Sequence, residues 1–239
     1  MSKLILDTLS DTHGKHAKFK CEGGDILIHA GDCTSGGSLR DSIDFLNWFS
    51  SQDYSHLIMI AGNHDWAFQS QPTLLADECR KRKIILLNDS GIILKDMSDP
   101  TINIRVWGSP IQPEFNNFAF NCQRGADIKR HWDLIPNNTE ILITHCPPYG
   151  ILDEVVQIGG FPYSPPNLVG CQDLLNKIKE TNVKLSVFGH IHEARGIIYK
   201  DLVTYVNASS LDRRYAIVDG KPIRIIRETC LNGDPVYIY

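Results

Sequence analysis

The sequence predicts an α/β protein built on two packed β-sheets flanked by helices. Three observations lead there. Short apolar runs alternate with helical patterns along the whole chain. The strand candidates number about a dozen, more than one ordinary sheet holds. A chain of 239 residues, 42% hydrophobic and 22% charged, is long and apolar enough to bury a sizeable core. No internal repeat or low-complexity linker divides the sequence, so residues 1–239 read as a single domain.

Taken in order, the candidate strands are Leu4–Leu9, Ile26–His29, Leu57–Ile60, Ile84–Leu87, Ile92–Leu94, Ile102–Trp107, Ile141–Thr144 and Lys184–Phe188. A closely spaced, hairpin-like series follows at Ile197–Tyr199, Leu202–Val206, Ala216–Val218 and Ile223–Ile226. A helix is expected behind Ser38, a capping residue with Asp41 three positions on, because Leu39, Ile43, Leu46 and Phe49 share one face. Pro72 suits the first turn of a second helix, and its far end carries Arg80-Lys81-Arg82-Lys83, which complements the negative C-terminal dipole. Cys171, Leu174, Leu175 and Ile178 mark a third. Residues Ile111–Arg124 and Gly159–Pro166 read as loops. Asp7 is unusual inside a strand pattern and receives no function from the sequence.

Charge and cysteine usage exclude several classes. The net charge is −4 and no block of like charge exceeds the four-residue basic run, which reads as a solvated helix end. Stable nucleic-acid or membrane binding is therefore not expected. No apolar run approaches the roughly 18 residues of a membrane span, and Met1–Asp7 does not read as a signal peptide. Seven cysteines lack Cys-x-x-Cys spacing, and we expect reduced thiols in a cytoplasmic protein. Three Asn-x-Ser/Thr triplets, at Asn88, Asn137 and Asn207, carry no weight without an export signal.

The chemistry concentrates at strand ends. Ser10-Asp11-Thr12-His13, Gly31-Asp32, Gly62-Asn63-His64-Asp65, Thr144-His145-Cys146-Pro147-Pro148 and Gly189-His190-Ile191-His192 each place His, Asp or Asn just beyond an apolar run. Ligands gather at strand ends in open α/β sheets. A single histidine there is more often a hydrogen-bonded structural residue, but five of the nine histidines sit in these segments. Asp11 and His13 are two apart and point the same way along extended chain; His190 and His192 repeat the arrangement. With Asp32, Asn63 and His145 they make seven donors, too many for one tetrahedral ion and suited to two ions sharing a carboxylate. Two metals roughly 3.5–4 Å apart serve in-line attack on phosphorus. The residues alone thus point to a dinuclear metal hydrolase.

In this order the five blocks resemble the calcineurin-like metallophosphoesterase superfamily, and they span Asp11 to His192. Asn117-Phe118-Ala119-Phe120-Asn121 with Arg124-Gly125, Trp132-Asp133-Leu134-Ile135-Pro136, Thr144–Pro148 and Val206-Asn207-Ala208-Ser209 resemble its metallophosphoesterase-domain (MPPED) group. The resemblance implies a four-layer αββα sandwich of two mixed sheets. It implies one metal on Asp11, His13, Asp32 and His192, and a second on Asp32, Asn63, His145 and His190, with a metal-bridging hydroxide as nucleophile. His64 would contact the phosphate or protonate the leaving oxygen, and Asp65 would hydrogen-bond His64 and favour its charged form.

Some members of the group carry Gly at the position of His190, losing a ligand, and Glu at that of Asp65; here the set is complete. The Asp-Arg-Gly of the Ser/Thr protein phosphatase branch is absent, since Gly31-Asp32 continues as Cys33-Thr34. Phosphoprotein is therefore the poorer substrate, and the resemblance to the MPPED group, whose members act on phosphodiesters, implies a phosphodiesterase on small phosphodiesters, cyclic nucleotides favoured, using two ions of Mn, Fe, Zn or Co. Competing readings are a phosphomonoesterase on small metabolites, a nuclease, and a non-catalytic scaffold of the same fold. Asn63, His64, Arg195 and Phe118 are candidates for substrate contact. Trp66, Phe68, Phe115, Phe120 and Tyr149 either stack on a nucleobase or pack their loops. Monomer and dimer both remain open.

Overall fold

The structure, a computed structural model, describes residues 3–95, 103–155, 167–230 and 234–239. In chain order the strands are β1 (Lys3–Leu9), β2 (Gly24–Ala30), β3 (Tyr54–Ile60), β4 (Ile84–Leu86), β5 (Ser90–Lys95), β6 (Asn103–Ser109), β7 (Gln112–Pro113), β8 (Asn121–Cys122), β9 (Ile141–Thr144), β10 (Glu154–Val155), β11 (Asn167–Leu168), β12 (Leu185–Phe188), β13 (Gly196–Lys200), β14 (Val203–Asn207), β15 (Ile223–Thr229) and β16 (Pro235–Ile238). The helices are α1 (Leu39–Ser50), α2 (Trp66–Ser70), α3 (Pro72–Lys81), α4 (Ala126–Trp132) and α5 (Gln172–Lys179).

Two six-stranded sheets form the centre, in the orders β16-β15-β1-β2-β3-β4 and β13-β14-β12-β9-β6-β5. Both are mixed: β1 to β4 run parallel in the first and β6, β9, β12 and β14 in the second, with antiparallel strands at their edges. Strand periodicity divides the side chains between two faces. Ile26, Ile28, Ile58 and Ile60 meet Val106, Ile141, Ile143 and Val187 between the sheets. Leu27, Leu57 and Met59 point outward onto Phe45, Leu46 and Phe49 of α1 and Leu75 of α3. On the far side Leu142, Phe188 and Tyr205 pack against Ile128 and Trp132 of α4 and Leu174 and Ile178 of α5. Each such fully buried aliphatic side chain stabilises the fold by about 1.5–3 kcal/mol relative to exposure. The result is the expected helix–sheet–sheet–helix layering.

The helix signals operate as the sequence predicts. Ser38 Oγ accepts the Asp41 N–H at 3.1 Å, and Pro72 opens α3. Arg80 pairs with Asp77 and Arg82 with Glu78, each at 2.6 Å, so the basic run is a solvated helix end. Asp7 is explained by its partner across the sheet. It pairs in register with Arg224 on β15 and accepts two of its N–H groups at 2.8 Å, while Tyr54 donates to the same carboxylate. A second charged contact joins the two sheets, with Arg227 Nε 2.7 Å from Glu140 and the Tyr237 hydroxyl 2.7 Å from the same oxygen.

Several features depart from the sequence reading. Residues 216–218 form no strand: the chain turns at 213–214, where Asp212 captures the N–H groups of Arg214 and Ala216, and Ile217 keeps only an isolated bridge to Leu211. The helices α2 and α4 and the strands β7, β8, β10, β11 and β16 are additions to it, β7 and β8 pairing within the expected loop Ile111–Arg124; α2 and α4 have five and seven residues, too short for a clear period. Ile102 and Gly159–Pro166 lie outside the described residues. All seven cysteines are free thiols. Among the described residues no helix is long and apolar enough to cross a membrane.

Candidate active site

Asp11 and His13 follow β1, Asp32 follows β2 and Asn63 follows β3, all at the carboxyl ends of parallel strands of the first sheet. His145 follows β9 and His190 and His192 follow β12, at the carboxyl ends of parallel strands of the second. The structure brings all seven together. Asp32 Oδ2 lies 3.7 Å from His13 Nε2 and 3.4 Å from His145 Nε2. On one side His13 Nε2 and His192 Nε2 are 3.3 Å apart, with Asp11 Oδ1 3.4 Å from His192. On the other, Asn63 Oδ1 is 2.9 Å from both His145 Nε2 and His190 Nδ1.

These separations suit metal ligation. Donors about 2.1 Å from one ion lie about 3.0–3.4 Å from each other, by the geometry of tetrahedral and octahedral sites. A single oxygen of Asp32 faces both groups, which is what a bridging ligand must do. Its other oxygen accepts the His64 N–H at 2.8 Å, fixing the carboxylate plane. Outer hydrogen bonds orient the rings: His145 Nδ1 donates to Ala30 O at 2.9 Å and His192 Nδ1 to Asp212 O at 3.1 Å, turning both Nε2 atoms inward.

The backbone is strained where four of these side chains sit. Asp11, His13, Asp32 and His190 have φ of 55°, 42°, 54° and 69°. A non-glycine residue held there costs on the order of 1–3 kcal/mol and persists because its surroundings dictate it. Those surroundings include Asp11 N–H to Gly31 O at 2.9 Å and His13 N–H to Asp32 O at 3.0 Å. Two motif glycines exist for close approach rather than flexibility. A Cβ on Gly62 would meet Asp32 Oδ1 at 2.3 Å, and one on Gly189 would meet Asp11 Oδ2 at 2.1 Å.

A model of the calcineurin-like phosphoesterase family matches residues 5–194. The chain belongs to that family. Metallophosphoesterase domain-containing protein 1 of Homo sapiens is 35% identical over 228 residues, covering 88% of this chain and 67% of that protein. The mouse protein of the same name matches equally, and a UPF0046 protein of Caenorhabditis elegans is 31% identical over 227 residues, 89% of this chain and 77% of its own. Among solved structures, TT1561 of Thermus thermophilus superposes with a TM-score of 0.57 over 92% of this chain and 97% of that one, at 14% identity. Another reaches a TM-score of 0.62 over 98% of both chains at 11% identity. The phosphoesterase fold is thus shared well beyond detectable sequence likeness.

The remaining expected site residues are placed as follows in this calcineurin-like phosphoesterase. A ring nitrogen of His64 lies within 4.8 Å of ligand atoms of His13 and Asp32, and its Nδ1 donates to Ser35 O at 2.9 Å. The expected hydrogen bond from Asp65 to His64 is replaced by another arrangement. Asp65 is fully buried and accepts the N–H groups of Gly62 and Thr34 at 2.8 and 2.9 Å and the Thr34 hydroxyl at 2.8 Å. Adjacent residues in a tight turn point apart, so Asp65 braces the loop after Asp32 instead. Arg195 donates to Ser209 O at 2.8 Å and to Ala208 O at 3.3 Å, committing part of its guanidinium to that turn. The Phe118 ring tilts against His64 at 4.8 Å, and Phe115 stacks beyond it. Phe68 is core, 4% exposed.

Sequence reasoning passed over Ser209, whose hydroxyl donates to Asp11 Oδ2 at 2.9 Å, and Asn207, whose amide holds Ile191 O at 2.9 Å between the two histidines. The Val206–Ser209 motif is visible in the sequence but carries no role until the fold places it beside Asp11. A cavity of about 670 Å³ elsewhere, lined by Tyr199, Leu202, Val236 and Ile238, contains none of the seven donors.

The site's electrostatics couple protons to metal. Burial would raise the Asp11 and Asp32 carboxyl groups, yet the surrounding imidazoles, His192 for the first and His145 for the second, hold both well below the usual range. Burial disfavours charge on His145 and His192, but Asp32 and Asp11 respectively outweigh it and push each pKa up to about 9. Burial and its like-charged neighbour His145 push His190 down to about 4. Without metal, His145 and His192 therefore hold protons at neutral pH that a cation must displace. Metal affinity is expected to rise with pH up to about 9, with proton release measurable by calorimetry in buffers of different ionisation enthalpy. For stability, a raised folded pKa contributes fully below the unfolded value of about 6.5 and is lost as pH climbs through 9; the lowered pKa of His190 contributes above 6.5 and is lost toward 4. The melting temperature of metal-free protein should accordingly peak near pH 6.5 and fall toward pH 9. A flat profile from pH 6.5 to 9 would contradict the assigned shifts.

Proposed function

We propose that this phosphoesterase is a two-metal phosphodiesterase for small phosphodiesters, with cyclic nucleotides as the favoured class. The observation that carries the reading is Asp32 Oδ2, facing His13 on one side and His145 on the other. Asp11, His13, Asp32 and His192 would hold one ion, and Asp32, Asn63, His145 and His190 the other. The oxygen and imidazole donors suit Mn, Fe, Zn or Co. Bound there, such ions supply positive charge for phosphate oxygens and a water of lowered pKa for in-line attack.

The chain's own residues do the rest. His64, its Nδ1–H held by Ser35 O, presents its other ring nitrogen to donate a proton to the departing ester oxygen. Asn63, beside His145 and His190, would both help hold the second ion and contact the phosphate. Asp65 acts as a positioning residue that fixes the Cys33–Thr34 backbone behind Asp32. Arg195 does the same for the turn carrying Ser209. Phe118, against His64, offers an apolar surface to the substrate. The absence after Asp32 of the Asp-Arg-Gly whose arginine clamps phosphate in the protein phosphatase branch makes phosphoprotein the poorer substrate. The acidic charge balance and unpaired cysteines fit a cytoplasmic enzyme.

The deciding experiment compares hydrolysis of bis-nitrophenyl phosphate and nitrophenyl phosphate with Mn²⁺ and with chelator. Diester preference abolished by chelation is expected. Monoester preference would replace the reading with a phosphomonoesterase, and metal-loaded protein that cleaves neither would mark a scaffold.

A further inference from the structure

The segment from Asp212 to Ala216 is a small rigid loop at the edge of the metal-ligand cluster. Asp212 N–H donates to Ala216 O, and Asp212 Oδ1 accepts the N–H groups of Arg214 and Ala216, all at 2.8 Å. Buried Leu211 anchors its base through the bridge to Ile217. The Asp212 carbonyl also holds His192 Nδ1. This frame projects Tyr215 with φ of 60°, a left-handed conformation that bulky residues seldom adopt. Lys15 Nζ donates to the Tyr215 carbonyl and secures it.

The Tyr215 ring rests edge-on against two candidate ligands, His13 at 4.9 Å and 70° and His192 at 5.2 Å and 74°. It is nonetheless 42% exposed, so it belongs to no core cluster and faces solvent beside the metals' donors. His64 meets the same His13 ring at 4.8 Å and 87°, and continues through Phe118 at 4.8 Å to Phe115, which is 59% exposed. His13 is therefore the shared contact of two aromatic groups, Tyr215 and the His64–Phe118–Phe115 series. A strained backbone that presents a half-exposed aromatic ring to a reactive centre contributes little to folding, and such strain concentrates where ligands are gripped.

We propose that Tyr215 is a specificity-determining residue: with Phe118 it forms two aromatic walls that select phosphoesters bearing a planar aromatic group, such as a nucleobase or an aryl ring. The proposal rests on the phosphoester reading of the site, and its test avoids turnover. Phenylphosphonate and methylphosphonate carry the same anionic group, have no ester bond to cleave, and differ by the ring. Their affinities for Mn²⁺-loaded protein are to be measured by calorimetry.

Wild-type protein is expected to bind phenylphosphonate about tenfold more tightly than methylphosphonate, in keeping with aromatic stacking. Tyr215→Ala should bring that ratio down to about two or less while leaving methylphosphonate affinity and metal content unchanged. Tyr215→Phe should retain the wild-type ratio. Should the alanine variant lose metal, Tyr215→Leu gives the same comparison with bulk preserved. An equal loss for both phosphonates would make Tyr215 a support for His13 and His192 and overturn the proposal, as would an unchanged ratio or a wild-type protein that binds neither. Tenfold selectivity in a protein that hydrolyses neither nitrophenyl ester would refute the enzymatic reading and leave this one standing.

Discussion

Asp32→Ala is expected to lose both metal ions, and hydrolysis with them, while the fold survives. The carboxylate presents one oxygen to His13 and His145 together, so its removal strips a donor from each group at once. Loss of an outer hydrogen-bond partner typically costs roughly 10–100-fold in metal affinity; loss of a shared direct ligand should exceed that for both ions. Mass spectrometry of the metal content decides it. Two ions retained by the variant would refute the bridging role, and one retained would show that the groups load independently. Asp32→Asn is the informative companion, since it keeps the volume and an oxygen but removes the charge.

The second large effect belongs to His64. His64→Ala should keep its metals, because the His64 contribution to Asp32 is a backbone N–H that alanine preserves. Turnover of a substrate with a poor leaving group should nevertheless fall by roughly 10²–10⁴-fold, the range for loss of a general acid. For nitrophenolate, which departs readily without a proton, the loss should shrink. An undiminished rate on an alkyl ester would remove His64 from the chemistry. Equal losses on both kinds of leaving group would assign it to binding the phosphate.

The gathering of the seven side chains was legible in the sequence because each lies one or a few residues past an apolar strand, where local pattern places it on a sheet end. The layering was legible from the number of apolar runs, too many for one sheet, and from their alternation with helical patterns. What escaped were relations between distant or neighbouring residues that periodicity does not encode. Asp7 meets Arg224 from 217 positions away, and Ser209 meets Asp11 from 198. Asp65 sits next to His64 in sequence but serves residues 33 and 34 in space. The apolar triplet Ala216–Val218 looks like a strand because the hydrogen bonding of Asp212, which closes the chain on itself, leaves no mark on hydropathy. Tyr215 was silent for the same reason.

The division of the donors between the two sheets has a mechanical consequence. Asp11, His13, Asp32 and Asn63 ride on one plate of the sandwich, and His145, His190 and His192 on the other. Between the plates lies mainly interdigitated aliphatic packing, tied by the Arg227–Glu140 contact and, beside the site, by the bridge from Ser10 to Ser209 and the Ser209 hydroxyl on Asp11. A slip of one plate against the other would alter the cross-plate separations, such as Asp32 to His145 and Asn63 to His190, and leave those within a plate intact. The centre thereby acts as a vernier for the sandwich. Trimming a methyl group from Ile143, buried between the sheets two residues before His145, would register in metal occupancy before it registered in the integrity of either sheet.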